Sequence, residues 1–126
     1  MRTAVCSLIM DGGTTVLSVT RKDNHTDWGL PGGKSDDNES PAATAIRETA
    51  EETGYIVDVD EQDFFEDTCG DFLVRTYKCS IISQDATLIK NNETGLVDFR
   101  PIGDLLASSF GEYNLKCFAY FKLLGN

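Results

Sequence analysis

The chain has 126 residues, with 11 Lys plus Arg against 21 Asp plus Glu and a formal net charge of −10. That length builds one hydrophobic core, so a single domain over residues 1–126 is expected, and 40% apolar with 25% charged residues excludes a disordered or fibrous chain. The acidic excess repels nucleic-acid backbones and anionic lipid alike; it makes a nucleic-acid polymer an unlikely partner and points to small molecules or metal ions. A polyanionic substrate would have to be met through local basic residues or bound cations.

Taken in chain order, Thr3 to Met10 reads as a strand, and its apolar run, Ala4 to Met10, stops at Asp11-Gly12-Gly13, far short of the roughly 20 residues of a membrane span. It has neither the basic lead-in nor the small-residue cleavage site of a secretory signal, so a cytoplasmic protein with no membrane partner is expected. The glycine pair supplies the positive φ of a tight turn, and Val16 to Thr20 follows, which predicts a β-hairpin. Arg21 to Asp27 is polar and leads into Trp28-Gly29-Leu30-Pro31-Gly32-Gly33, a loop whose glycines permit close backbone approach to a ligand. Ser40 then serves as an N-cap, Pro41 as the first helical residue and Gly54 as the C-terminal stop, predicting a helix between them. Tyr55 to Val59, Phe72 to Ile82 and Leu96 to Phe99 read as strands, Pro101 to Leu106 as a helical turn, and Glu112 to Leu124 as a closing helix. Cys6, Cys69, Cys79 and Cys117 contain no C-x-x-C pair and are read as reduced, mostly buried thiols.

The residues that carry chemistry are acidic. Glu48, Glu51 and Glu52 lie three and four apart on the predicted helix, where their like charges repel within one turn and call for compensation. The spacing alone leaves two readings, a solvated acidic face or a site for a hard divalent ion, which takes oxygen ligands from carboxylates plus substrate phosphates. The glycine loop before the helix favours the second. Arg47 lies four residues before Glu51 and near enough to Glu39 to pin the loop to the helix.

Gly33, five residues, Glu39, seven residues, then Arg47-Glu48-Thr49-Ala50-Glu51-Glu52-Thr53-Gly54-Tyr55 resembles the signature box of the Nudix hydrolases, G-x5-E-x7-R-E-U-x-E-E-x-G-U. Thr49 and Tyr55 depart from it at two aliphatic packing positions. The resemblance implies an α/β/α sandwich around a mixed sheet and Mg²⁺- or Mn²⁺-dependent hydrolysis of a diphosphate linked to another moiety. By position it implies that Glu51, Glu52 and the carbonyl of Gly32 are metal ligands and that Glu48 is a further ligand or the general base. Glu39 is implied as the partner of Arg47. An acid outside the box often serves such sites; Glu93 is the candidate and Asp98 the runner-up. Arg21 resembles the family position that touches phosphate, and Lys34 stands inside the box where it could do likewise; each could equally be an ordinary surface cation.

Trp28 either stacks on a base or anchors its loop by packing. For Asn114, near the start of the last helix, the resemblance implies a base-reading role, and the alternative is that it bonds its own backbone. His25 has no second histidine and is not expected to bind metal, and Phe64, Phe65, Phe118, Tyr120 and Phe121 are read as core. The expected substrate is a nucleoside di- or triphosphate, a modified dNTP in a housecleaning role among them, handled by a monomer or homodimer. The alternatives are a dinucleoside polyphosphate or nucleotide-sugar (ADP-ribose-like) pyrophosphatase and, from another class, a non-catalytic nucleotide sensor.

Overall fold

The computed structural model describes residues 2–90 and 95–124. Its strands are β1 (Arg2–Leu8), β2 (Thr15–Arg21), β3 (Asn24–Gly29), β4 (Gly32–Lys34), β5 (Tyr55–Cys69), β6 (Phe72–Gln84) and β7 (Val97–Pro101). The helices are α1 (Pro41–Thr53), α2 (Ile102–Leu106) and α3 (Gly111–Tyr120), with one 3-10 turn at Ala86–Leu88.

Two sheets divide the strands. One has the order β4-β1-β6-β5, mixed because β1 runs parallel to β6 and antiparallel to β4; the other, β3-β2-β7, is antiparallel. The expected hairpin between the first two strands is therefore corrected. The turn forms, with the Asp11 carboxylate accepting from the Gly13 N–H at 2.8 Å and from the Thr15 hydroxyl. Beyond it only Met10 and Val16 are bridged. A strand has two hydrogen-bonding edges, and those of β1 are taken by β4 and β6 while those of β2 are taken by β3 and β7. The segment expected as a loop is also corrected: the polar stretch after Arg21 folds back as β3, an edge strand through Gly29 whose Asn24, His25 and Thr26 are exposed, and Gly32 and Gly33 belong to β4.

Alternation along β1 and β6 sends side chains to both faces. Leu8, Val74 and Val16 pack under α2 and α3 with Leu105, Cys117 and Phe118. Val5, Ile9, Tyr77 and Cys79 pack with Ala45 of α1 on the other face. The result is the α/β/α sandwich, with α1 on one side and α2 and α3 on the other. Phe64 joins the core on the α1 side, and Phe65, Phe118 and Phe121 the other one, but Tyr120 is half exposed and donates its hydroxyl to Asp63. The closing helix is shorter than expected. It ends where Lys122 takes a left-handed φ of 61°, which lets the Leu123 N–H reach back to the Phe118 carbonyl at 2.9 Å. Among the described residues, no helix is long and apolar enough to cross a membrane.

Candidate active site

Helix α1 begins as its sequence dictates. The Ser40 hydroxyl accepts from the Ala43 N–H, Pro41 opens the first turn, and Gly54 closes the last with φ 78°. Between these caps Ala42, Ala45, Glu48, Thr49 and Glu52 are among the residues on the buried side of the helix. Glu48 and Glu52, 8% and 7% exposed, are carboxylates where apolar side chains would ordinarily stand. Both departures from the box are satisfied locally. The buried Thr49 hydroxyl donates to Ser7 Oγ of β1 at 2.8 Å, and the Tyr55 ring meets Phe99 edge-on with centroids 6.0 Å apart.

Arg47 is the hub of the acidic cluster. Its Nε and Nη2 donate to Glu39 Oε2 and Oε1 at 2.8 and 3.1 Å, a two-pronged pairing that only a guanidinium makes. Nη1 donates to Glu48 Oε1 at 2.9 Å and to Glu51 Oε1 at 3.2 Å, and Nη2 also reaches the Lys34 carbonyl at 3.2 Å. Arg47, with added help from the Asp36 N–H, draws the Glu39 carboxyl down to about 2, and Glu39 in turn pushes the guanidinium further up. The glycine strand completes the arrangement. The Gly32 N–H donates to Glu52 Oε1 at 2.7 Å, and a Cβ on Gly32 would lie 2.2 Å from the Val5 carbonyl oxygen. At Gly33 a Cβ would lie 2.6 Å from Glu48 Cδ, so the backbone there is a cradle for that carboxylate.

The donor set suits a hard divalent ion. Glu39, Glu48, Glu51 and Glu52 offer oxygen only, and against them stand the cations Arg47 and Lys90, two fewer positive charges than negative ones. Among the described residues no three His, Cys, Asp or Glu side chains converge as a ligand group; the carboxylates are turned onto Arg47, Lys90 and the Gly32 N–H instead. Glu48 and Glu51 are thus already paired with cations in this arrangement.

On the opposite side of the glycine strand lies a cavity of about 290 Å³. Leu30, Phe72, Val74 and Phe110 line it together with Gly32, Gly33, Lys34 and Asn114. Of the residues singled out from sequence, the structure thus brings Lys34 and Asn114 to one cavity, next to the glycines that touch Glu48 and Glu52. Lys34 holds its ammonium 5.5 Å from the Phe72 ring centroid. Asn114 is buried on α3 and donates through Nδ2 to the Leu105 carbonyl at 3.1 Å, so it ties α2 to α3 and does not cap its own helix. Trp28 is 8% exposed, packs in the core beneath α3 and carries the Arg100 guanidinium 4.7 Å from its ring. Arg21 is solvated and pairs with Asp23 at 3.3 Å, while Asp98 is exposed on β7 beside Arg100. Glu93 lies outside the described residues. Sequence reasoning missed Lys90, Phe72 and Phe110. The two aromatics reach the cavity from strand and loop positions that no local spacing connects to the box.

The NUDIX domain family model matches residues 1–113, and the chain belongs to that family. It is 68% identical over 28 residues to the CMP-5'-(N-acetyl-N-hydroxy-3-aminopropyl)phosphonate hydrolase of Streptomyces rubellomurinus, covering 22% of this chain and 14% of that protein. It is 32% identical over 77 residues to a MutT-like protein of Streptomyces ambofaciens, covering 60% and 49%. These matches span less than half the length of either relative. In fold it resembles a NUDIX hydrolase from Nitrosomonas europaea, with a TM-score of 0.77 at 18% identity over 96% of this chain and 88% of that one.

Proposed function

We propose that the protein is a pyrophosphohydrolase that cleaves a phosphoanhydride bond in a nucleoside di- or triphosphate, a modified dNTP among the candidates. The observation that carries this reading is the pairing across one strand: Gly32 and Gly33 touch carboxylates on one side and line an apolar cavity on the other. A molecule with a flat apolar ring at one end and a polyphosphate at the other matches both halves. Glu48, Glu51 and Glu52 would hold Mg²⁺ or Mn²⁺, which supplies charge cancellation on the phosphates and a water of lowered pKa. Arg47 keeps the carboxylates aligned, and the Gly32 N–H fixes the rotamer of Glu52. Glu48 is either a ligand or the base that takes the proton from water, and Glu93 is the second candidate for that proton. Lys34, and in a more exposed position Arg21, are the cations for substrate phosphate.

Leu30, Phe72 and Phe110 exclude water from the base, and Asn114 is the group that reads it. The Leu105 carbonyl can only accept, so it holds the Asn114 amide nitrogen and leaves the amide oxygen for a donor on the base. A nucleotide-handling enzyme with free thiols at all four cysteines fits a reducing, cytoplasmic compartment.

The cavity favours a mononucleotide over a dinucleotide, since it lies at the small end of the roughly 300–1,000 Å³ of ligand pockets. A phosphate- and pyrophosphate-release screen with Mg²⁺ or Mn²⁺ tests this. Turnover of nucleoside di- or triphosphates is expected. Turnover confined to dinucleoside polyphosphates or nucleotide sugars would replace the substrate class, and nucleotide binding with no turnover in either metal would make the protein a sensor.

A further inference from the structure

Lys90 lies outside the box, and the reading above gives it no task, yet it reaches the centre of the acidic cluster. Its ammonium is 3.1 Å from Glu51 Oε2, while Arg47 Nη1 holds Glu51 Oε1 at 3.2 Å. Both oxygens of Glu51 therefore face a cation. The backbone makes this encounter durable. The Lys90 N–H donates to the Glu51 carbonyl at 2.8 Å, and at the start of the same segment the Asp85 N–H donates to the Gly54 carbonyl at 2.7 Å. Glu51 belongs to the last turn of α1, whose carbonyls have no further helical turn to satisfy them, and Gly54 is the residue that caps it. Residues 85–90 are thus bound to the helix end at both of their own ends. The segment also packs on Gly54, where a Cβ would meet the Asp85 carbonyl oxygen, Ala86 Cα and Ile89 Cδ1 at 3.2–3.3 Å.

We propose that Lys90 is a tethered counter-ion that competes with the divalent cation for Glu51, so that it steadies the metal-free cluster and weakens metal uptake. The inference rests on α1 being the metal face. Of the two cations on Glu51, Lys90 is the one built to leave. Its side chain is 63% exposed, and an exposed single ion pair is weak, whereas Arg47 is 27% exposed and clamped by two hydrogen bonds to Glu39. Its tether keeps the ammonium close after release, so competition persists at any metal concentration instead of ending with one dissociation.

Calorimetric titration of Mn²⁺ into chelator-treated full-length protein tests the proposal, with Lys90→Gln, Lys90→Arg and, as a control for net charge, Lys116→Gln. Lys116 sits on α3, against the other face of the sheet, beside Asp67 at 3.5 Å. Lys90→Gln is expected to bind Mn²⁺ at least about threefold more tightly, Lys90→Arg within about twofold of wild type, and Lys116→Gln like wild type. The metal-free melting temperature of Lys90→Gln should fall while its rise on adding Mn²⁺ grows. Unchanged or weaker Mn²⁺ binding by Lys90→Gln, or equal tightening by Lys116→Gln, overturns the counter-ion role and leaves the metal face standing. A wild-type protein that takes up no Mn²⁺ overturns both.

Discussion

Glu52 illustrates how much one carboxylate is asked to do. It is nearly buried, it shares a helix turn with Glu48 and Glu51, and it is anchored by the Gly32 N–H. Three like charges on one turn destabilise a helix, and Arg47 offsets that repulsion through its bonds to Glu48 and Glu51. Glu52→Gln keeps an oxygen for the Gly32 N–H and removes a negative charge. The expected outcome is at least about a hundredfold loss in kcat with Mg²⁺, corresponding to about 3 kcal/mol of lost transition-state stabilisation. The metal-free melting temperature should be unchanged or higher. Near-wild-type turnover would remove Glu52 from the metal site. The residues of this cluster were legible in the sequence because helical spacing alone brings them together. Lys90 was not, since its contact with Glu51 closes across β5 and β6, and nothing in the sequence near either residue encodes it.

At the scale of elements, the Glu39–Arg47 ion pair is one of the ties between loop and helix, and its pH behaviour follows from its geometry. Glu39 titrates at about 2 in the folded protein against an ordinary 4.5, because Arg47 and the Asp36 N–H stabilise its charged form. The unfolded chain therefore binds the proton first as pH falls. The stability contributed by this group is fully present above about pH 4.5 and is lost as pH drops toward about 2. Urea midpoints at pH 6 and pH 3 check this. Wild type should lose more stability between the two than Glu39→Gln, which should begin lower at pH 6; parallel losses would show that the junction does not carry the acid sensitivity. Helix α1 was readable from Ser40, Pro41 and Gly54 because caps are local chemistry. Strand β3 was not, because Asn24, His25 and Thr26 are polar residues on a solvent-facing edge and carry no alternating apolar signal. The Gly12 turn was visible as a turn, but a turn does not say which edges its flanking strands will use, and here β1 pairs with β4 and β6 while β2 pairs with the adjoining β3 and the distant β7.

For the molecule as a whole, the cavity is the feature that no stretch of sequence announces. It is assembled from residues of β1, β4, β5, β6 and α3, and α3 in turn packs against α2. Asn114 ties the two helices through its bond to the Leu105 carbonyl. The same carbonyl also accepts from the Ser108 hydroxyl at 2.7 Å, so it keeps a partner when Asn114 is lost. Asn114→Ala is thus expected to destabilise the fold by only about 1 kcal/mol, the low end of the cost of a lost buried hydrogen bond. If the amide oxygen reads the base, KM for the preferred nucleotide should rise about fivefold or more, and the preference among bases should flatten. Metal half-saturation, which the proposed function assigns to the α1 side of the glycine strand, should not move. A variant that loses stability and keeps the wild-type order of bases would make Asn114 a structural tie between α2 and α3, and base selection would then fall to the aromatic walls at Phe72 and Phe110.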